Sequence, residues 1–473
     1  MLFNSLEFIA FFAAVYAVYR LLNHKGQNLL LLGASYFFYG SWNWRFLLLL
    51  FASTAIDFFC GIKIYNASSL KAKRMWLVLS LCVNLGILGF FKYCNFFLVS
   101  LSALLGAWGV HLDPFILKVV LPVGVSFYTF QSISYIVDIY SAKIKPERAF
   151  LDYALFVSFF PQLVAGPIER AGHMLPQYKS PREITARKNK EGIWCIYWGF
   201  FLKVFVADNM AKVAALVFDQ AGVIPGIEVL LGSYAYAFQI FGDFAGYSFI
   251  AMGVARLLGF ELMTNFLFPY FVTNPVDFWR NWHISLSAWL RDYLYIPLGG
   301  NRNGKFQTYR NLFITMFLGG LWHGAAWTFV IWGMFQGIIL MVHRAFKAIF
   351  FGRTASGNKS FIIAAVQIVL MFHVTCMGWL IFRANSLRQL KDLVRSLCFG
   401  FGTHSDKAPY IAFQVMFYSA LLLAMQAVQK FKNDLMVIPD LRGIRPWILY
   451  GLMFYSILLW GEFGGKQFIY FQF

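Results

Sequence analysis

The sequence predicts an all-α, polytopic membrane protein of about eleven transmembrane or re-entrant helices, and three observations carry that prediction. Of its 473 residues, 60% are hydrophobic and only 13% charged, where soluble domains hold roughly 25% charge; the mean hydropathy is +0.62. Several stretches free of Asp, Glu, Lys and Arg reach or approach the roughly 20 residues that cross a bilayer. These stretches lack the apolar–polar alternation of a barrel strand, and in hydrocarbon a backbone that is not a closed barrel must be helical.

In chain order, the charge-free stretches include residues 27–44, 75–91, 311–342, 361–382, 410–429 and 446–460. Residues 6–19, 46–65, 151–168 and 229–254 are apolar runs that carry one or two charges. The opening MLFNSLEF lacks the basic flank of a cleavable signal and leads into an apolar run, so it reads as the first membrane segment. Polar intervals are about twenty to thirty residues at most, too short for an independent core, so residues 1–473 read as a single membrane domain. Residues 265–301 are too polar to cross simply and too aromatic to be free loop. They suit an interfacial or re-entrant layer, with a helix over 276–295 started by Asn274 and Pro275 and ended by Pro297, Gly299 and Gly300.

The formal net charge of +19 would suit nucleic acid, but the Lys and Arg residues lie in short segments between apolar runs, where they mark the cytoplasmic side. No basic stripe with interleaved aromatics runs along a soluble domain, so nucleic acid is excluded as a partner and the phospholipid bilayer takes its place. Residues 71–74, 170–190, 280–310 and 344–359 are the basic intervals expected to face the cytoplasm. Asn66-Ala-Ser and Asn358-Lys-Ser match the glycosylation pattern by chance in such intervals. Six cysteines stand singly, with no CxxC pair, and imply neither a metal site nor a disulfide framework.

Chemistry concentrates in a few positions. His323 lies in LGGLWHGAAWTFVIWG (318–333), within a charge-free run where an ionisable group is costly and functional by default. The small residues Gly324, Ala325 and Ala326 beside it would let a backbone or ligand approach the imidazole. An imidazole there can take the proton of a hydroxyl attacking a thioester; the plainer reading is a helix-packing histidine. His283 is second: on one continuous helix it would share a face with Trp279, Ser287 and Arg291, although an interfacial histidine can also be a mere anchor. Arg280, Asn281, Arg291 and Arg302, with Lys305 near them, could hold the phosphates of a donor such as acetyl-CoA, or simply mark the cytoplasmic side. Asp243 could pair with a cation or orient a catalytic histidine. His373, with little polar company, reads as a packing residue. No P-loop, HExxH or dinucleotide fingerprint is present, and no permanently bound cofactor is expected.

Two long blocks, DFWRNWHISLSAWLRDYLYIPLGGNR (277–302) and LWHGAAWTFVIWGMFQG (321–337), resemble the membrane-bound O-acyltransferase family. The likeness is specifically to its bacterial alginate O-acetylation branch, which is similar to the D-alanine transfer protein of teichoic acid synthesis. LPVGVSFYTFQSISYIVDIY, FFPQLVAGPIER, FGDFAGYSFIAMG and FIYFQF add weaker support in the expected order. The resemblance implies a ring of membrane helices around a thin, funnel-pierced centre, with His323 at the signature position and His283 at the second one. It implies an acyl donor on the cytoplasmic side, acetyl-CoA, and an acceptor hydroxyl entering from the other side of a bacterial inner membrane. The implied acceptor is a serine of a periplasmic or membrane-anchored SGNH-hydrolase-like partner, serving O-acetylation of an exported polysaccharide with alginate the first guess. Three alternatives stay open: D-alanyl or other acyl transfer to another envelope glycan, a transporter that moves an acyl carrier or glycan without chemistry, and an inert scaffold for polysaccharide secretion.

Overall fold

A segment in hydrocarbon can satisfy its backbone N–H and C=O groups internally as helix, and the computed structural model of the chain is helical, with no strand among its described residues, 1–111, 121–164, 166–350, 360–464 and 468–469. Asn358, Lys359 and the last four residues of FIYFQF lie outside that set, as does Ala165 of FFPQLVAGPIER. By their internal contacts the residues form two units, Met1–Thr185 with Val254–Met263, and Ala186–Gly253 with Thr264–Phe473.

The first unit holds α1 (Leu6–Leu21), α2 (His24–Gly40), α3 (Arg45–Asn66), α4 (Leu70–Leu88), α5 (Cys94–Ala107), α6 (Val125–Tyr140), α7 (Phe150–Ser158) and α8 (Ala171–Lys179), with a π turn, Gly89–Tyr93, joining α4 to α5. The starts of α1, α2 and α4 are capped by Ser5, Asn23 and Ser69, whose side-chain oxygens accept from the N–H three residues on, relieving donors that would otherwise be orphaned. The apolar run 151–168 does not form one helix. Pro161 has no N–H for the carbonyl of Val157, and α7 stops at Ser158 before a four-residue turn, Phe160–Leu163. Asp57, fully buried on α3, accepts from Ser80 Oγ at 2.6 Å and from Asn84 Nδ2 at 2.8 Å on α4. This polar clip between two apolar helices meets the requirement that a buried carboxylate be hydrogen-bonded.

The second unit carries α9 (Ala186–Phe200), α10 (Asp208–Phe218), α11 (Gly226–Leu257, apart from its last turn), α12 (Pro275–Asn281), α13 (Ile284–Leu290), α14 (Lys305–His323), α15 (Trp327–Phe350), α16 (Phe361–Arg383), α17 (Leu387–Phe399), α18 (Ala408–Lys432) and α19 (Arg445–Trp460). A π turn, Phe201–Ala207, joins α9 to α10. Glycines set the approach of α9 to α11: a Cβ on Gly199 would stand 2.6 Å from the carbonyl oxygen of Gly246, and one on Gly253 would stand 2.5 Å from that of Gly192. Backbones this close leave no room for a side chain, as in other small-residue crossings of membrane helices.

Among the described residues, five helical stretches are long and apolar enough to cross a membrane: Arg45–Asn66, Leu70–Ala107, Trp327–Ile349, Phe361–Arg383 and Ala408–Lys432. Their surfaces carry large bare apolar side chains, such as Phe361 at 86% and Leu370 at 61% exposed. Such a surface would be an association hazard in water and suits a lipid environment. The chain is a multi-pass membrane protein.

Candidate active site

The run 311–342 is not one span. It folds back at 324–326, so that α14 and α15 pack antiparallel as a hairpin whose turn begins at His323, the last residue of α14. Two glycines fix the crossing: a Cβ on Gly320 would lie 2.4 Å from the carbonyl oxygen of Phe329 and 2.7 Å from Cα of Gly333, and one on Gly333 would lie 2.5 Å from the carbonyl oxygen of Met316. The space beside Gly324 is taken by the Phe329 ring, which a Cβ there would overlap. That small residue therefore serves hairpin packing. Because backbone cannot yield as a flexible side chain does, Gly320→Ala is expected to cost about 1–3 kcal/mol through overpacking. Thermal unfolding of the purified variant in detergent checks this, and an unchanged midpoint would contradict the tight crossing.

His323 is 4% exposed. Its ring lies perpendicular to Trp332 at 4.9 Å, with Trp322 at 4.9 Å and Phe382 of α16 at 5.3 Å between centroids. The aromatic walls come from three different helices, and only folding collects them.

The expected helix over 276–295 begins as predicted, with the Asn274 side chain accepting from the N–H of Asp277 at 2.9 Å and Pro275 in the first turn. It does not run through. α12 ends at Asn281, Trp282 is extended, and His283 sits in the left-handed region at φ 42°, ψ 56° before α13 starts. The expected face of Trp279, His283, Ser287 and Arg291 is therefore broken at the imidazole. The cause is Asn265. Its backbone carbonyl accepts from the N–H of Ile284 at 2.9 Å, and its side-chain oxygen accepts from the N–H of Ser285 at 3.3 Å and the hydroxyl of Ser285 at 2.9 Å. An upstream stretch of irregular chain thus satisfies the first donors of α13 and bends the path through His283. A non-glycine residue held in this region costs about 1–3 kcal/mol and persists where its surroundings over-determine it.

Asn265 also fixes the chemistry of the ring. Its Oδ1 lies 3.1 Å from Nδ1 of His283, which is fully buried. Since a backbone N–H can only donate, the Ser285 contact identifies that atom of Asn265 as the oxygen, so Nδ1 of His283 carries the proton and Nε2 the lone pair. A charge on a ring so enclosed, and held by a neutral amide, would cost several kcal/mol, which keeps the imidazole neutral. Asn265 is fixed in turn by donating from Nδ2 to Ser248 Oγ at 3.2 Å. Sequence reasoning missed Asn265; its signal was only a buried-type polar residue among apolar neighbours in NFLFPYF.

The two histidines share a neighbour. Trp322 lies 6.1 Å from His283 and 4.9 Å from His323 between ring centroids. The other sequence candidates scatter. The Asp243 carboxylate pairs not with a histidine but with Lys203 at 2.7 Å, and Lys203 also pairs with Asp208 at 2.8 Å, because the glycine crossing brings the π turn against α11. His373 has polar company after all: Tyr234 Oη lies 2.6 Å from its Nε2, and its Nδ1 donates to the carbonyl of Val369 at 2.8 Å. Arg280 and Arg291 are exposed and lie beside Asp277 and Asp292 at 3.1 and 2.8 Å; Arg302 is exposed on the turn before α14. Asn281 braces backbone, accepting from the N–H of Phe268 at 3.2 Å and donating to the carbonyl of Asp277 at 2.8 Å. Asn311, which sequence reasoning also passed over, donates to the carbonyls of Leu298 and Gly300 and clamps the turn that carries Arg302.

Comparison with known proteins fits this arrangement. Residues 147–382, which include both histidines, match the model of the membrane-bound O-acyltransferase family. The chain is 40% identical over 443 residues to the probable alginate O-acetylase AlgI of Pseudomonas aeruginosa, covering 92% of this chain and 83% of that protein. It is 37% identical over 432 residues to the peptidoglycan O-acetyltransferase of Helicobacter pylori, covering 84% and 80%. More distantly, it is 29% identical over 277 residues to the teichoic acid D-alanyltransferase of Bacillus subtilis, covering 55% and 68%. With a helical membrane fold and two buried histidines gathered around Trp322, this chain belongs to the membrane-bound O-acyltransferase family and is an acyltransferase.

Proposed function

We propose that this enzyme is an O-acetyltransferase of the bacterial inner membrane, which takes acetyl from acetyl-CoA on the cytoplasmic side and delivers it to a hydroxyl on the periplasmic side for O-acetylation of an exocellular polysaccharide, with alginate the first candidate. The observation that carries the reading is the pair of buried imidazoles, His283 and His323, which both pack against the ring of Trp322. Relatives named as an alginate O-acetylase and a peptidoglycan O-acetyltransferase support the choice of acetyl and of a glycan.

In this scheme His323 accepts the proton of the acceptor hydroxyl as its oxygen attacks the thioester carbonyl. The C–S bond breaks, the acetyl ester forms, and the leaving thiolate recovers the proton from the imidazolium. Nε2 of His283, a fixed lone pair, accepts a hydrogen bond and orients the incoming group. Arg280, Asn281, Arg291 and Arg302 are the donor-side candidates, Arg being suited to bidentate phosphate contacts. The acceptor is a serine of a membrane-anchored or periplasmic SGNH-hydrolase-like protein, which hands the acetyl on to the polysaccharide.

The test is transfer by the purified enzyme in lipid nanodiscs from radiolabelled acetyl-CoA to that partner domain or to alginate oligosaccharides. Label in the acceptor, with free CoA released in equal amount, is the expected result. Absence of label from every hydroxyl acceptor, with the donor left intact, would sink the proposal.

A further inference from the structure

On α11, one turn of helix faces three things at once. Asp243 reaches the Lys203 ammonium on the π turn at 2.7 Å. Its other oxygen, Oδ2, accepts from the backbone N–H of Ile469 at 2.6 Å. The next residue, Phe244, meets the His283 imidazole edge to face, with centroids 4.6 Å apart and planes at 82°. The segment that supplies Ile469 also places the Phe468 ring against Phe244 at 5.6 Å and against Tyr247 at 4.8 Å. Phe468 and Ile469 are 2% and 4% exposed. Trp460 and Glu462 are tied to the same π turn and to α10, since the N–H of Glu462 donates to the carbonyl of Val204 at 3.0 Å and Asn209 Nδ2 donates to that of Trp460 at 2.7 Å.

This arrangement gives His283 two supports. Asn265 sets the tautomer and the backbone path from one side. From the other side the ring rests on Phe244, and Phe244 is backed in turn by Phe468. A T-shaped aromatic contact adds about 0.5–1.5 kcal/mol to area burial and, more to the point, fixes orientation. A single backbone hydrogen bond to a carboxylate is stronger than a neutral one, and here it holds the residue next to the Phe468 ring.

We propose that Asp243 and Phe468 are positioning residues for His283: Asp243, anchored by Lys203, clasps the backbone at Ile469 and so seats Phe468 behind Phe244, which sets the imidazole plane. Neither residue touches substrate in this account. The proposal rests on the acetyl-transfer reading above, since it assigns what orients one of that reaction's two histidines.

The test compares Ile469→Pro, which lacks the N–H that Asp243 accepts, with Ile469→Ala, which keeps it, and Phe468→Ala with Phe468→Leu. Each variant is assayed in nanodiscs for acetyl transfer, donor binding and Tm. The Pro and Phe468→Ala variants are expected to lose about ten- to a hundredfold in kcat, as small misplacements of catalytic groups do, with donor KM within about twofold and the number of donor-binding sites unchanged. Ile469→Ala and Phe468→Leu recover most of the rate. A kcat for Ile469→Pro equal to that of Ile469→Ala, together with undiminished turnover by Phe468→Ala, would overturn the proposal. So would a loss of rate matched by an equal loss of donor-binding sites, which marks a purely structural tie. If the unaltered enzyme itself transfers no acetyl, it is the functional reading that fails, and the two failures are thereby told apart.

Discussion

His323→Ala is expected to lower acetyl transfer by about 10²- to 10⁴-fold, the range a positioned general base supplies, while leaving the protein folded. The second half of that expectation follows from the site. The ring is held by edge contacts with Trp322, Trp332 and Phe382, so truncation removes packing at the tip of a hairpin whose crossing is fixed elsewhere, at Gly320 and Gly333. His323→Gln, which fills more of the same space and keeps a polar tip without basicity near neutral pH, should fold better than the Ala variant and transfer no faster. Initial rates with saturating donor, alongside Tm in the same detergent, separate the two effects. Turnover by a folded His323→Ala enzyme at the unaltered rate would remove the imidazole from the chemistry.

Asn265→Ala is expected to have the largest combined effect on stability and rate. One substitution takes away the side-chain acceptor shared by Nδ1–H of His283, the Ser285 N–H and the Ser285 hydroxyl, all in a buried setting. Leaving a buried donor without its partner costs about 1–3 kcal/mol each, so destabilisation of several kcal/mol follows unless water enters. The catalytic consequence is separate: without the amide oxygen the His283 proton is free to move to Nε2, and the lone pair no longer faces a fixed direction. Asn265→Asp provides the contrast. A carboxylate keeps the acceptor and favours a charged ring, so it should retain more stability than the Ala variant yet change how the rate depends on pH. Chemical shifts of the His283 ring nitrogens in labelled protein would report the tautomer directly. An unaltered Nδ1-protonated signature in Asn265→Ala would show that something other than Asn265 selects it.

Local chemistry made part of this site legible in the sequence. A histidine in a charge-free run is conspicuous because burying an ionisable group there is costly, whatever the fold. Asn274 followed by Pro275 announces a helix start because the cap and the missing N–H act within one turn. The paired blocks around His283 and His323 carried the family for the same reason: their residues are contiguous.

What composition alone determined is that this is a helical membrane protein, since hydrocarbon admits few other ways to satisfy a backbone. Tertiary structure decided the rest. Hydropathy reads 311–342 as one apolar stretch, because a hairpin and a long span differ only in whether Gly320 finds Gly333 opposite it, a contact across the turn. Helical periodicity continues through His283, because the interaction that breaks the helix comes from Asn265, eighteen residues earlier. Asp243 could be paired with a histidine or a lysine until the glycine crossing of α9 and α11 delivered Lys203. In each case the deciding energy lies between residues far apart in sequence, where periodicity and propensity have nothing to report.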